Sequence, residues 1–115
     1  MNENQIQRSV IAHLKARASP GVFAFHVPNG GYRKPVEAAI LKGLGVVSGT
    51  PDIFAIKAGH TFALELKTET GKLSDNQHAV LARLKECGAT CAVAFGLDAA
   101  LRQLEAWDIL KGKTT

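Results

Sequence analysis

Cysteine, tryptophan, tyrosine and long apolar runs are all scarce in this chain. Its 115 residues include two cysteines, one tryptophan and one tyrosine. Cys87 and Cys91 do not stand at the two-residue gap of a zinc knuckle, and no second pair accompanies them. A structural zinc site of that kind is excluded, and both thiols are expected to be buried and reduced. No apolar run approaches the length that crosses a bilayer, so no membrane partner is expected. The N-terminal stretch Met1-Asn2-Glu3-Asn4-Gln5 is polar and lacks the apolar segment of a secretion signal, which leads to the expectation of a cytoplasmic protein. Repeats, linkers and low-complexity segments are also missing, so residues 1–115 read as one domain, long enough to bury a core without staples. Acidic side chains are outnumbered by basic ones, 10 to 14, for a net charge of +4. That balance suits a polyanionic partner such as nucleic acid but does not establish one, since many small proteins are mildly basic.

What is present is an ordinary globular composition, 46% hydrophobic and 21% charged, with one unusual feature in its middle. Two short apolar runs, Pro51-Asp52-Ile53-Phe54-Ala55-Ile56 and Phe62-Ala63-Leu64-Glu65-Leu66-Lys67, flank a turn at Ala58-Gly59. If they form a hairpin centred on that turn, Lys57 pairs with His60 and Asp52 falls opposite Glu65. Directly opposed residues share a face, with Cβ atoms about 4.5–5.5 Å apart. Two carboxylates facing each other in an apolar sheet repel unless a cation lies between them. Lys67, two residues beyond Glu65, projects from the same face. Two acids and a lysine around one point describe a divalent-metal hydrolytic site.

This inference depends on register, because a one-residue slip turns Asp52 to the other face. Ala58 fits poorly in a type I′ turn, which needs positive φ at both central residues. A four-residue loop from Lys57 to His60 keeps the pairing and avoids that cost. Taken singly, the three residues have plainer readings as a strand-end Asp, an edge-strand Glu and a solvated Lys.

The rest of the chain reads as alternating helices and strands. Ile6, Val10 and Leu14 make residues 3–17 an amphipathic helix, with Glu3 and Gln7 near the same stripe. Ser19-Pro20-Gly21 ends it, and residues 22–27 form a strand. Pro28-Asn29-Gly30-Gly31 is a loop, after which Pro35 opens a short helix to about residue 42. The glycine-rich stretch from Gly43 to Thr50 is not a dinucleotide fingerprint, because it precedes a strand and opens no helix. Flexibility beside the acidic site is the expected use. Ser74 caps a helix over residues 75–86, with Leu73, Val80, Leu81 and Leu84 as its apolar stripe and Gly88 past its end. A strand over residues 89–95 and a helix over residues 98–107 follow, and the tail from Lys111 is expected to fray. Both faces of the central hairpin are largely apolar, so helices should cover the sheet on both sides. The result is an α/β fold, a mixed sheet of four strands flanked by helices on both faces.

An ordered series of residues now stands out: Glu3 with Gln7, His26-Val27-Pro28-Asn29-Gly30-Gly31 with Arg33, Gly45, Gly49-Thr50-Pro51-Asp52, Glu65-Leu66-Lys67, and Gly71-Lys72-Leu73-Ser74 with Gln77. In this series the chain resembles the VRR-NUC domains of the PD-(D/E)XK nuclease superfamily, from Glu3 to about Phe95. Pro51-Asp52 with Glu65-x-Lys67 alone is a weak pattern, whereas the whole series is specific. The resemblance implies a restriction-endonuclease-like fold and a metal-dependent, structure-selective DNA endonuclease of the Holliday-junction-resolvase kind, acting on branched DNA such as junctions or flaps. It implies Asp52 and Glu65 as metal ligands, joined by the Leu66 carbonyl and by Glu3, with Lys67 as the catalytic lysine and Gln77 as a supporting polar residue. It also implies a homodimer, for which the N-terminal helix and the His26–Arg33 segment are candidate interfaces.

Mg²⁺ or Mn²⁺ suits hard oxygen ligands and keeps waters when few carboxylates bind it, leaving room for a phosphate. Several of these residues also have structural explanations. Ser74-Asp75-Asn76-Gln77 is an S-x-x-Q capping box, in which Gln77 reaches back to the cap. Glu3 is equally a first-turn acid favoured by the helix dipole. His26 and Asn29 fit either a strand end or phosphate contact. Arg33, Lys34 and Lys72 are either solvated or placed to bind DNA phosphates without reading sequence. The rival function is a non-catalytic nucleic-acid-binding module.

Overall fold

The structure, a computed structural model, describes residues 1–28 and 33–112. Along the chain run α1 (Glu3–Arg17), β1 (Val22–His26), α2 (Pro35–Gly43), β2 (Ile53–Lys57), β3 (His60–Lys67), α3 (Asp75–Glu86), β4 (Thr90–Phe95) and α4 (Leu97–Ala106). The strands lie in the order β1-β2-β3-β4. The first two pairings are antiparallel, and β3 pairs β4 in parallel through the α3 crossover. This is the mixed four-stranded α/β sheet expected from the sequence. Among the described residues no helix is long and apolar enough to cross a membrane.

The hairpin register is the one the site requires. Lys57 pairs with His60 and Ile53 with Leu64. The connection is nevertheless a two-residue turn, with Ala58 at φ 50° and Gly59 at φ 77°. Ala58 therefore adopts the left-handed region that the four-residue loop was meant to avoid. The right-handed twist of the flanking strands outweighs its modest cost.

One face of the sheet carries the core. Ile53, Ala55, Leu64, Leu66 and Ala94 pack against Ile6, Val10 and Leu14 of α1 and Ala100, Leu101 and Leu104 of α4. Each Ile, Val or Leu side chain among them stabilises the fold by roughly 1.5–3 kcal/mol on burial. Asn2 starts α1 by a reciprocal cap with Gln5, at 2.8 Å in both directions. The opposite face is covered unevenly. α3 packs beside β4, and Ala63 on the adjoining β3 has no exposed surface. Over β1 and β2, Phe25 stacks on Phe54 at 5.8 Å, yet Phe23 stays 67% and Ile56 39% exposed. α2 has no buried residue, and Val36, Ile40 and Leu44 face outward. Cover on both sides thus holds for the β3–β4 half and not for the β1–β2 half.

Two smaller expectations fail. Cys87 is exposed, because it caps the C-terminus of α3, while Cys91 on β4 is half-buried. Lys111, the first residue of the tail expected to fray, is held: its N–H donates to the Arg17 carbonyl at 2.8 Å and its own carbonyl accepts from Arg17 Nη1 at 2.6 Å, while residues 113–115 lie outside the described residues.

Candidate metal and nucleic-acid site

β3 outruns β2 by three residues, Glu65, Leu66 and Lys67, because β2 begins only at Ile53. Without a partner strand there, the Leu66 N–H donates instead to Asp52 Oδ2 at 2.8 Å. In a strand the N–H and C=O of one residue point the same way, so the Leu66 carbonyl is also directed toward the Asp52 side. The Asp52 carbonyl is pinned in turn, accepting from the Val27 N–H at 3.0 Å and from His26 Nδ1 at 2.7 Å. A carbonyl only accepts, so Nδ1 carries the proton in this contact and Nε2 is left for other partners.

Glu65 is 3% and Lys67 8% exposed. Burial, then the charge and hydrogen bond of Asp52, push the Glu65 carboxyl up to about 9, against the lowering effect of Lys67. Glu3 adds a further raising contribution, so the start of α1 lies within electrostatic reach of Glu65. The structure brings Asp52 and Glu65 within reach of a shared proton, with the Lys67 ammonium near. Such a pair suits a hard cation, which relieves the same repulsion as the proton and favours oxygen ligands. Glu3 is exposed. Among the described residues no three His, Cys, Asp or Glu side chains are gathered tightly enough to hold a metal by themselves, so Glu3 is not drawn in with the other two.

Gln77 resolves its two readings by satisfying both. Its Oε1 accepts from the Ser74 N–H at 2.9 Å, its own N–H donates to Ser74 Oγ at 3.1 Å, and its Nε2 donates to Glu65 Oε2 at 3.3 Å. In the glycine-rich segment, Gly49 serves close packing. Gly49 has φ +87°, and a Cβ there would sit 2.7 Å from the Asn76 carbonyl carbon and oxygen. Its use is close packing of the loop before Asp52 against the start of α3, reinforced by Asn76 Nδ2 donating to Ser48 Oγ at 3.3 Å. A lone Gly before Pro-Asp signals a special backbone position but not the partner it must approach.

The expected DNA contacts are spread around this centre. His26 adjoins Asp52 as described. Arg33 and Lys42 line an open cleft of about 700 Å³ between α2 and the start of α3, with Ser48 and Asn76 on its far wall. Arg33 Nη2 also donates to the Pro28 carbonyl at 3.1 Å. Lys34, at the N-cap of α2, and Lys72, in the loop before α3, are exposed. Asn29 lies outside the described residues.

Comparison with known proteins places this arrangement. The family model described as the VRR-NUC domain matches residues 1–97. A solved structure titled "VRR_NUC domain protein" superposes with a TM-score of 0.77 at 22% identity, covering 93% of this chain and 88% of that one. The latter likeness shows the shared fold. No curated protein matches the chain.

Proposed function

The chain belongs to the VRR-NUC family of nuclease domains, and on that premise we propose that it is a metal-dependent, structure-selective DNA endonuclease. The observation that carries the proposal is that Asp52 Oδ2 accepts from the Leu66 N–H at 2.8 Å, which sets it at the buried Glu65 and Lys67 of β3. Its substrate on this reading is branched or distorted DNA such as a Holliday junction or flap.

A Mg²⁺ or Mn²⁺ ion held by Asp52, Glu65 and the Leu66 carbonyl would acidify a water and polarise the scissile phosphoryl group. Lys67 orients that water and offsets negative charge building on the phosphoryl oxygens. Gln77 fixes the Glu65 carboxylate through its Nε2 contact. Glu3 adds negative charge at the rim. His26, with Nδ1 committed to the Asp52 carbonyl, offers Nε2 to a phosphate or to water. Asn29, Arg33, Lys34 and Lys72 contribute phosphate contacts that position DNA and make binding fall with salt.

One such site cuts one strand, so paired cuts call for a homodimer with two-fold symmetry. The uncovered apolar surfaces of α2 and of the β1–β2 face support that assembly. A nine-residue helix with no buried side chain is not stable by itself in water. α1 spends its apolar stripe on the chain's own core, which favours those bare surfaces over it.

The rival, a binding module without catalysis, is disfavoured by the complete acid–lysine set. Incubation with labelled Holliday junction, flap and plain duplex in MgCl₂ or MnCl₂ separates the two. Metal-dependent product from the branched substrates is expected, and binding without product under every metal condition would overturn the nuclease proposal.

A further inference from the structure

The cleft between α2 and the start of α3 has no part in the hydrolytic chemistry. Its volume is about 700 Å³, in the range of pockets that take a small organic group. Ala38 and Leu41 of α2 line it, together with Val46 and Val47 of the loop that follows. Val46 is 41% and Val47 56% exposed, so this apolar surface meets water in the free protein. The outward stripe of α2, Val36, Ile40 and Leu44, does not line the cleft and is a separate surface.

The polar lining is small and mixed. Arg33 and Lys42 supply positive charge, and Ser48 and Asn76 supply hydrogen-bonding groups. Asn76 Nδ2 donates to Ser48 Oγ at 3.3 Å. That bond leaves Asn76 Oδ1 as an acceptor and the Ser48 hydroxyl proton as a donor for a ligand.

Principles of reach tie the cleft to Asp52 and Glu65. Asn76 directly precedes Gln77, whose Nε2 donates to Glu65 Oε2 at 3.3 Å. Ser48 directly precedes Gly49, which packs on the Asn76 backbone. From Ser48 to Asp52 the chain spans at most about 14 Å. Thr50 Oγ1 donates to the Val47 carbonyl at 2.7 Å and braces this loop. A DNA strand with a phosphate at Asp52 and Glu65 therefore has its neighbouring nucleotides within reach of the cleft.

We propose that the cleft takes an unpaired nucleotide from the branch of the DNA, and that this makes the protein select branched over plain duplex. The base lies against Leu41, Val46 and Val47 with its polar edge at Ser48 and Asn76, and its flanking phosphates meet Arg33 and Lys42. Cations alone bind a DNA backbone and need no apolar lining. An apolar cleft with a polar wall instead matches a base, which has apolar faces and a hydrogen-bonding edge. A base inside a duplex enters such a cleft only after unstacking and unpairing, at a few kcal/mol, whereas a base at a branch is already free. The inference rests on the branched-DNA reading above and gives its selectivity a location.

The test is binding by the full chain in EDTA, so that neither metal nor cleavage enters. Two fluorescein-labelled duplexes of the same sequence are compared, one of them carrying a single-stranded flap with 2-aminopurine as its first unpaired base. Wild-type protein is expected to bind the flap about tenfold more tightly than the plain duplex, equivalent to about 1.4 kcal/mol, and to shield the 2-aminopurine from acrylamide quenching. Ala38→Leu combined with Ser48→Leu narrows the cleft from both walls. It should lower the flap-to-duplex affinity ratio about tenfold and restore quenching. Asn76→Ala, at an exposed position, is the second variant should the first fail to fold, and should lower the ratio about 2–10-fold, the worth of one hydrogen bond. Equal wild-type affinity for the two duplexes overturns the inference. So does an unchanged ratio in the variants, or a loss that is equal on both duplexes. Flap preference and shielding without metal-dependent cleavage would uphold the cleft and sink the nuclease reading, while cleavage without flap preference would do the reverse.

Discussion

Gln77 ties the start of α3 to Glu65: one carboxamide closes the helix cap through Oε1 and reaches the buried carboxyl through Nε2 at 3.3 Å. The cap and the site therefore share a residue but can be separated by substitution. Ser74→Ala removes the capping hydroxyl and leaves Gln77 free to hold Glu65. It should cost about 1 kcal/mol, or a few degrees in melting temperature, with little change in Mn²⁺ affinity. Gln77→Ala should cost a similar amount of stability and in addition weaken Mn²⁺ binding and cleavage by 10–100-fold. Melts and calorimetric titrations of the two variants make the comparison. Equal metal affinities would show that Gln77 serves only the cap.

The Asp52–Glu65 pair sets a definite pH dependence. The Glu65 carboxyl is raised from 4.5 to about 9, first by burial and then by Asp52. The folded metal-free protein thus holds a proton that the unfolded chain has released, and stability falls wherever the folded state binds more protons. The contribution of Glu65 is complete below pH 4.5 and is lost as pH rises through about 9. Metal uptake must displace that proton, so Mn²⁺ affinity should rise with pH over the same window. Melting curves between pH 5 and 9, with and without MnCl₂, test both halves. In Asp52→Asn the second cause is gone while burial of Glu65 remains, so the metal-free pH dependence should become shallower without vanishing, and Mn²⁺ binding should be lost.

Lys67 acts on chemistry more than on folding. The residue is 8% exposed, and its ammonium has no ion pair among the described residues within 4.0 Å. Lys67→Ala is expected to leave the fold and DNA affinity in place and to lower the cleavage rate at saturating substrate by about 10²–10³-fold, the scale of losing one group that stabilises transition-state charge. Single-turnover cleavage of a labelled junction in MnCl₂ measures it. Cleavage at the wild-type rate would remove Lys67 from the mechanism.

Gly49 sets the relation between the loop before Asp52 and α3. A Cβ there would meet the Asn76 backbone at 2.7 Å, and the φ of +87° is one that other residues adopt only under strain. Gly49→Ala should destabilise the protein by about 1–3 kcal/mol and lower Mn²⁺ affinity, because relief of the clash moves either Asp52 or Gln77. Gly43→Ala is the control. That site meets nothing within 4 Å and lies in α2, where Ala is the better helix former, so no loss is expected.

How much of this was legible in the sequence follows from how local each signal was. The Lys57–His60 pairing, and with it the approach of Asp52 to Glu65, came from counting outward from one turn, since strand periodicity leaves a single register once the turn is fixed. The stripe of Ile6, Val10 and Leu14 gave α1 for the same reason. The φ of Ala58 was not legible, because it is imposed by the strands on either side. The double use of Gln77 was visible as two competing readings, and their compatibility depended on where α3 docks. Gly49 announced an unusual backbone but not its contact with Asn76. Gln7 stood with Glu3 in the series that carries the resemblance, and only the folded chain shows that neither polar atom of its carboxamide has a hydrogen-bond partner among the described residues. Helices do lie on both faces, but the bare surfaces of α2 and the β1–β2 face depend on long-range packing, so the sequence pattern did not show where the cover stops.

Those surfaces yield the prediction on assembly. Val36, Ile40 and Leu44 recur at four-residue steps on α2, each at least 60% exposed, so they form one apolar stripe. Phe23, Phe25 and Ile56 form a second patch on the sheet. Exposed apolar surface of this extent marks an interaction site on a soluble protein. In a two-fold dimer the same surfaces on each copy become the interface, so one charged substitution is introduced twice. Sedimentation equilibrium should give wild-type protein about twice the 12.2 kDa chain mass. Ile40→Lys or Phe23→Lys should give the single-chain mass, with Mn²⁺ binding retained because neither residue adjoins Asp52 or Glu65 in the chain or by any contact described above. The monomeric variants should nick one strand of a junction without the paired cut. A wild-type mass of one chain at tens of micromolar would remove the dimer from the proposal.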